Sequence, residues 1–327
     1  MLDYQRWCGG LSKDGEATGT RPNDAAQRLT AGSPIDLLLT PKFAFGADDR
    51  FFCIGSCFAR EIEKALVQEG RTVLSMGLDP AAHGLTIDDF PHHLFPPVGL
   101  ATQFNTYTMV DVLQRAHDRT EVTSADFYDV NGEFWDASLH HAPLASLDKV
   151  TSIRRMVDAS YARLRDARVI VITLGLTELW WDVERDRAIN TPPPNWPSLK
   201  RQGAIEYRNT SYAEASANVA RMIELAGALA SDAKIVFTVS PVPLHRTFSD
   251  QDIVIANTYS KSLLRTVAQE AAAAHESVEY FPSYEFVSFS PRDVAWMDDQ
   301  RHVKSSMVRW ITSRFVNAYL PQQAASS

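Results

Sequence analysis

Three largely apolar runs, Phe51–Gly55, Val169–Leu174 and Lys234–Ser240, punctuate an otherwise mixed chain. A strand with one wet face would alternate apolar and polar residues, so these runs predict strands buried on both faces. Arg71–Ser75 and Ser277–Phe281 are shorter segments of the same kind and predict a second and a fifth strand. Helical spacing fills the intervals: Phe58–Glu69, Thr106–His117, Lys149–Asp166 (Ile153, Met156, Val157, Tyr161, Leu164), Tyr212–Ala230, Asp252–Ala274 and Val303–Tyr319. Parallel strands need right-handed crossovers, each covered by a helix. The pattern therefore specifies an α/β fold: a three-layer α/β/α sandwich around a doubly wound, parallel five-stranded sheet.

Residues 1–50 are mostly polar, with Gly9, Gly10, Gly15 and Pro22 scattered through them, and read as an irregular N-terminal arm. Residues 51–320 read as one domain carrying two insertions, at about 77–147 and 182–209. The first begins with a Pro-, His- and Gly-rich stretch. The second holds Pro192–Pro194 and Trp196-Pro197, whose fixed backbone angles exclude helix or central strand and predict a loop at the mouth of the site. No internal repeat is present at a fixed period.

Composition narrows the function. A chain of 327 residues that is 45% hydrophobic has ample material for a core. A net charge of -8, with no basic run long enough to track phosphates, argues against a nucleic-acid partner. No stretch approaches the ~18 apolar residues of a membrane span, and the N-terminus has no apolar core of a secretory leader, so neither anchor nor export is expected. Three cysteines (Cys8, Cys53, Cys57) make no disulfide framework, and Cys53 lies inside a predicted buried strand. A reducing cytoplasm fits. No cofactor is expected, and the oligomeric state is open.

The chemistry gathers at predicted strand ends. Gly55-Ser56-Cys57 places a hydroxyl and a thiol where a strand becomes a helix, and the first amides of a helix favour a thiolate or a developing oxyanion. Asp299-Gln300-Arg301-His302 puts a carboxylate and an imidazole three apart, the spacing at which an acid orients a base. Whichever of Ser56 or Cys57 points at His302 is the nucleophile. In an open parallel sheet, ligands sit beyond the carboxyl ends of the strands. Gly175-Leu176-Thr177-Glu178 and Ser240-Pro241-Val242-Pro243 end there too. Glu178, Trp180, Trp181 and Trp196 are candidates for stacking on or holding a substrate, with His245 and Arg246 as contacts to an anionic group. The pairs His92-His93 and His140-His141 lack a carboxylate or thiol at ligand spacing and read as lid or surface histidines rather than a metal set. Asn257, Ser260, Lys261 and Arg265 share one helix face, usually a solvent-facing arrangement, otherwise one for a charged substrate.

The spelling Gly55-Ser56-Cys57-Phe58-Ala59 resembles the signature after which the GSCFA family is named, and the order of motifs is similar to that of the SGNH (GDSL-like) hydrolase superfamily. The resemblance runs from about residue 35 to 318. It implies the flavodoxin-like strand order, with Cys57 on the nucleophile position, Ser56 in place of that superfamily's aspartate, His302 as base and Asp299 as its orienter. It also implies an oxyanion hole drawn from the Cys57 amide, Asn105, Gly175 and Thr177, although Thr177 stands where an amide side chain is expected. An esterase that removes an acetyl-like acyl group from a carbohydrate-like or small hydroxylated substrate is the function it implies. The alternatives are an acyltransferase with acyl-CoA as co-substrate, or a binding protein that keeps the fold; a redox role for Cys57 ranks last.

Overall fold

The apolar runs are strands, and they lie side by side in a computed structural model that describes residues 7, 24–90, 97–191 and 205–319. A short helix α1 (Ala25–Thr30) precedes β1 (Phe51–Gly55), which turns directly into α2 (Cys57–Gln68). Next come α3 (Thr106–Asp118), the hairpin of β2 (Tyr128–Val130) and β3 (Glu133–Trp135), α4 (Leu147–Ala162) and β4 (Val169–Leu174). A small antiparallel sheet follows, made of β5 (Glu178–Asp182), β6 (Arg187–Ile189) and β7 (Ile205–Asn209). After it the chain runs through α5 (Tyr212–Leu229), β8 (Lys234–Val239), α6 (Ile253–Ala274) and β9 (Val278–Tyr280). Two short helices, α7 (Ser283–Ser288) and α8 (Arg292–Ala295), lead to the closing helix α9 (Ser305–Tyr319).

The central sheet is parallel, in the order β1-β4-β8-β9. Successive side chains of a strand point to opposite faces, and that alternation sorts the core into two layers. Phe52, Ile54, Ile170, Ile172, Leu174, Phe237 and Val239 meet α3, α4, α5 and α6 through Met109, Val157, Val219 and Leu264. Phe51, Cys53, Val169, Val171 and Val236 meet α2, α7 and α9 through Phe58, Leu66, Phe286 and Phe315. Apolar residues on both faces are what these runs demand.

The second strand is where sequence and structure part. Arg71–Ser75 does not form a strand: it makes a single parallel bridge between Phe51 and Val73 and then coils into a 3-10 turn, Leu74–Met76. Side chains take over the ladder. The Phe51 amide still donates to the Thr72 carbonyl at 2.8 Å, but beyond it the Cys53 amide donates to Ser75 Oγ at 3.0 Å and Arg60 Nη2 donates to the Cys53 carbonyl at 3.0 Å, so at Cys53 the edge of β1 is satisfied without a backbone partner. Arg60 is in turn paired with the buried Glu63 at 3.0 Å. The sheet thus has four strands, with the bridge where the expected second strand would lie; that position, outside β1, preserves the flavodoxin-like winding.

Residues 24–50 carry α1 and bury Ile35 and Phe45 in the layer with α9. The second insertion, expected as a loop, holds strands β6 and β7 of the small sheet; Pro192–Pro194 and Trp196 lie outside the described residues, as do Cys8, His92 and His93. Among the described residues, no helix is long and apolar enough to cross a membrane.

Candidate active site

Strand β1 delivers its terminal residues to the crevice between β1 and β4, where the winding reverses direction. Gly55 sits there at φ +141°, and a Cβ on it would lie 2.4 Å from the Thr173 carbonyl oxygen. Only glycine fits so close a crossing. Ser56 follows as the N-cap of α2, but its hydroxyl caps nothing: Oγ is buried with no hydrogen-bond partner among the described residues. Cys57 opens the helix, half-buried and unpaired as a cysteine.

A cavity of about 930 Å³ opens over these residues. Ser56, Cys57, Gly175, Ser240, Arg301 and His302 line its floor and one wall; Trp180, Phe248, Trp135 and Phe104 give it an aromatic side. Segments hundreds of residues apart meet here. His302 Nδ1 lies 2.5 Å from Asp299 Oδ2, while Asp299 Oδ1 accepts the His302 amide at 2.9 Å and the Arg301 amide at 3.0 Å. Those two amides and the imidazole hold the Asp299 carboxyl well below the usual carboxylate range. An ionised Asp299 fixes the proton on Nδ1 and leaves Nε2 as the basic atom. Neither Ser56 nor Cys57 is hydrogen-bonded to it. Nε2 instead lies 3.0 Å from Nη1 of Arg301, which also lines the cavity.

Behind Gly175 lies a lysine that the sequence reading placed on a usually solvent-facing helix face. Lys261 is fully buried, and its ammonium donates to the Gly175 carbonyl at 2.8 Å. Its helix neighbour Ser260 accepts the Thr177 amide at 3.1 Å. The face expected toward solvent is therefore an inward face, with Arg265 paired to Glu285 at 2.5 Å and Asn257 accepting the Leu244 amide at 3.2 Å. Burial pushes Lys261 down to about 7, against a smaller opposing pull from Cys57. Burial likewise pushes the Cys57 thiol up, and the charges of Arg301 and Lys261 and the Phe58 amide work against it.

Of the residues expected to form an oxyanion hole, Cys57 and Gly175 line the cavity. Asn105 and Thr177 do not. Asn105 caps α3 by accepting the Thr108 amide at 3.0 Å, and the Thr177 amide is taken by Ser260. Glu178 is on the cavity wall, where it accepts from Thr247 Oγ1 at 2.6 Å and from the Phe248 amide at 3.1 Å, pinning the loop that follows β8. Trp180 faces the cavity, whereas Trp181 packs against Tyr107 at 5.1 Å and under Arg208 at 4.4 Å, outside the lining. His245 and Arg246 stand exposed at the rim. His140 and His141 also line the cavity; burial, reinforced by His141, drives His140 down to about 3 and keeps it neutral.

A Gly-Ser-Cys turn after the first strand, sharing a cavity with an Asp-x-x-His segment from far along the chain, is set in a parallel α/β/α sandwich. Within that class the chain belongs to the GSCFA family, whose sequence model matches residues 50–315. No curated protein sequence matches it. Among solved structures it is similar to a GDSL-like lipase from Bacteroides thetaiotaomicron, 13% identical, covering 83% of this chain and 89% of the other with a TM-score of 0.38. It is also similar to a family 3 carbohydrate esterase from Clostridium thermocellum, 10% identical, covering 84% of this chain and 100% of the other with a TM-score of 0.34.

Arg301 over the imidazole was missed by the sequence reading, and Lys261, read on a usually solvent-facing helix face, is instead buried. For Lys261 a signal existed: it lies three residues before Leu264 and seven before Ala268, on the stripe that helical periodicity assigns to the core. A lysine on that stripe is a buried charge.

Proposed function

We propose that this protein is an acyl-ester hydrolase with Cys57 as nucleophile, His302 as general base and Asp299 as its orienter. One observation supports the reading above the others: Ser56, Cys57 and His302 share one cavity, and the imidazole there is already held in the tautomer that a base requires. Between the two candidates, a thiol at the first helical position is the stronger nucleophile; burial raises its pKa on balance, and Arg301, Lys261 and the Phe58 amide offset part of that rise.

In the proposed cycle Nε2 takes the thiol proton as Sγ attacks the ester carbonyl. The amides of Cys57 and Gly175 receive the oxyanion, and the C–O bond breaks as Nε2–H protonates the departing alkoxide. Water, deprotonated by Nε2, then attacks the thioester; the carboxylic acid leaves and the thiol is restored. Hydrolysis is favoured over transfer to a second alcohol because the His302 and Asp299 side chains are 50% and 47% exposed, leaving the base open to water. The aromatic wall of Trp180 and Phe248 suits a ring-shaped or acyl moiety.

Turnover of p-nitrophenyl acetate, with mass spectrometry of the quenched enzyme, tests this. The expected result is an acetyl adduct on the Cys57 peptide, a loss of about 10³-fold or more in kcat/KM for Cys57→Ala and of less than about tenfold for Ser56→Ala. Transfer of acetyl from acetyl-CoA to an added alcohol without free acetate would make it a transferase. No adduct on either residue and no turnover would leave a binding protein.

A further inference from the structure

The cavity carries an imbalance of charge. Its lining holds two guanidinium groups, Arg246 and Arg301, and a single carboxylate, Glu178, whose two oxygens are already engaged by Thr247 and Phe248. Behind the lining, the Asp299 carboxylate is held by His302 and its neighbouring amides, and the buried Lys261 amine donates to the Gly175 carbonyl. In a chain with a net charge of -8, a cationic cavity is a local choice rather than a reflection of composition.

Arg301 is the centre of it. Its Nη1 lies 3.0 Å from His302 Nε2, the atom that must accept the nucleophile's proton, and its Nε is buried with no hydrogen-bond partner among the described residues. A lone pair that accepts from a guanidinium cannot at the same time take a proton from a thiol. A neutral imidazole nitrogen is, however, a poor partner for a guanidinium beside an oxyanion, which binds with charge assistance and in a two-pronged geometry.

We infer that Arg301 reads an oxyanion (carboxylate, sulfate or phosphate) on the substrate and uncovers His302 Nε2 in doing so, so that the preferred substrates are esters carrying an anionic group beside the ester bond. Arg246 and His245, exposed on the rim, meet the same group from the solvent side. Without such a group on the substrate, Arg301 stays on Nε2 and the base stays covered. The rate consequence rests on the hydrolase reading; the binding consequence does not.

The test uses the full chain, with 4-acetoxybenzoate and 4-acetoxybenzenesulfonate as anionic probes and methyl 4-acetoxybenzoate as the neutral one. In the wild type the anionic esters are expected to exceed the neutral ester in kcat/KM by about tenfold or more, the worth of one charge-assisted contact. The two anionic probes tell which oxyanion is preferred. Arg301→Met should lower the anionic rates by about that factor and raise the neutral rate several-fold, because the base is no longer covered. Arg301→Lys should fall between them, and it carries the test should the methionine variant fail to fold. Calorimetric binding of 4-hydroxybenzoate against its methyl ester repeats the comparison without turnover. Equal binding of the two in the wild type, or a charge preference that survives in both variants, overturns the proposal. Arg301-dependent anion binding with inert esters keeps it and sinks the hydrolase reading. Ester turnover blind to charge does the reverse.

Discussion

The Lys261 ammonium donates to the Gly175 carbonyl at 2.8 Å, with no carboxylate within 4.0 Å among the described residues. A buried cation without a counter-ion is costly to the fold, and replacing such a charge by an apolar residue of similar volume is neutral or stabilising. Because burial lowers its pKa to about 7, the folded protein carries the full penalty at and below neutrality. As pH rises from there toward the ordinary lysine value, the folded state turns neutral while the unfolded state still holds its proton, so the penalty is relieved. Lys261→Met should therefore be more stable than wild type at pH 6, with an advantage that shrinks toward pH 10. Urea midpoints across that range check it; a constant difference would show that Lys261 is not a strained charge.

The same lysine bears on the thiol. Burial raises the Cys57 pKa, and Arg301 and Lys261 oppose it. The rate of Cys57 alkylation by iodoacetamide, followed on its own peptide by mass spectrometry, should still be climbing at pH 9, later than for an exposed cysteine. Arg301→Met should move the profile further to higher pH, whereas Lys261→Met, which removes a group that has largely lost its charge above about pH 7, should leave it nearly in place. A profile that levels off near neutrality would mean that the thiolate is stabilised by something other than these two cations.

A buried ion pair braces the wall of the cavity. Arg154 Nε donates to Asp136 Oδ2 at 2.7 Å and Nη2 to Oδ1 at 2.5 Å, with both side chains almost fully buried. Ser138 Oγ adds a third contact to Asp136 at 2.7 Å, and the Ser138 carbonyl accepts from Gln103 Nε2 at 3.2 Å. Burial alone would raise the Asp136 pKa, but Arg154 outweighs it and the net direction is down. Stability from this carboxylate is present above the ordinary aspartate value and is lost as pH falls through the lowered one. Asp136→Asn leaves Arg154 buried and unpaired, and should cost about 3–5 kcal/mol at pH 7. Chemical denaturation should show that the gap to wild type narrows below pH 3.

Gly55 is needed by geometry rather than by chemistry. Its φ of +141° disfavours any side chain, and a Cβ would also meet Thr173 Cβ at 2.8 Å. Gly55→Ala should cost about 3 kcal/mol or more, from backbone strain together with the forced separation of β1 and β4. Denaturation measures the loss. A cost below about 1 kcal/mol would mean that the turn relaxes, and Ser56 and Cys57 would then not be rigidly held.

Much of this was legible in the chain. Val169–Leu174 reads as strand because a run of β-branched residues, with Thr173 its one hydroxyl, suits a position covered on both sides, and the structure begins and ends that strand at those residues. Helix α5 is equally readable: Ser211 and Glu214 form a capping box, which marks its start. Arg71–Ser75 misled because its apolar residues are real core residues, while its backbone partner had been replaced. Whether β1 bonds to a neighbouring strand or to Ser75 Oγ and Arg60 depends on where two side chains of α2 and one of the following turn end up, and local pattern holds no record of that.

By itself the sequence determined the layered α/β architecture, the strand-to-helix turn Gly55-Ser56-Cys57 and the Asp299–His302 pair, because each follows from contacts within a few residues: the apolar pattern, the glycine at a strand end, a carboxylate three positions from an imidazole. Only the tertiary structure decided that Arg301 covers the basic nitrogen, that Trp180 rather than Trp181 faces the cavity, and that Lys261 sits behind Gly175. These depend on how strand ends and loops far apart in the chain are packed against each other, and a buried charge or a covered lone pair acquires its meaning from neighbours that sequence order does not supply.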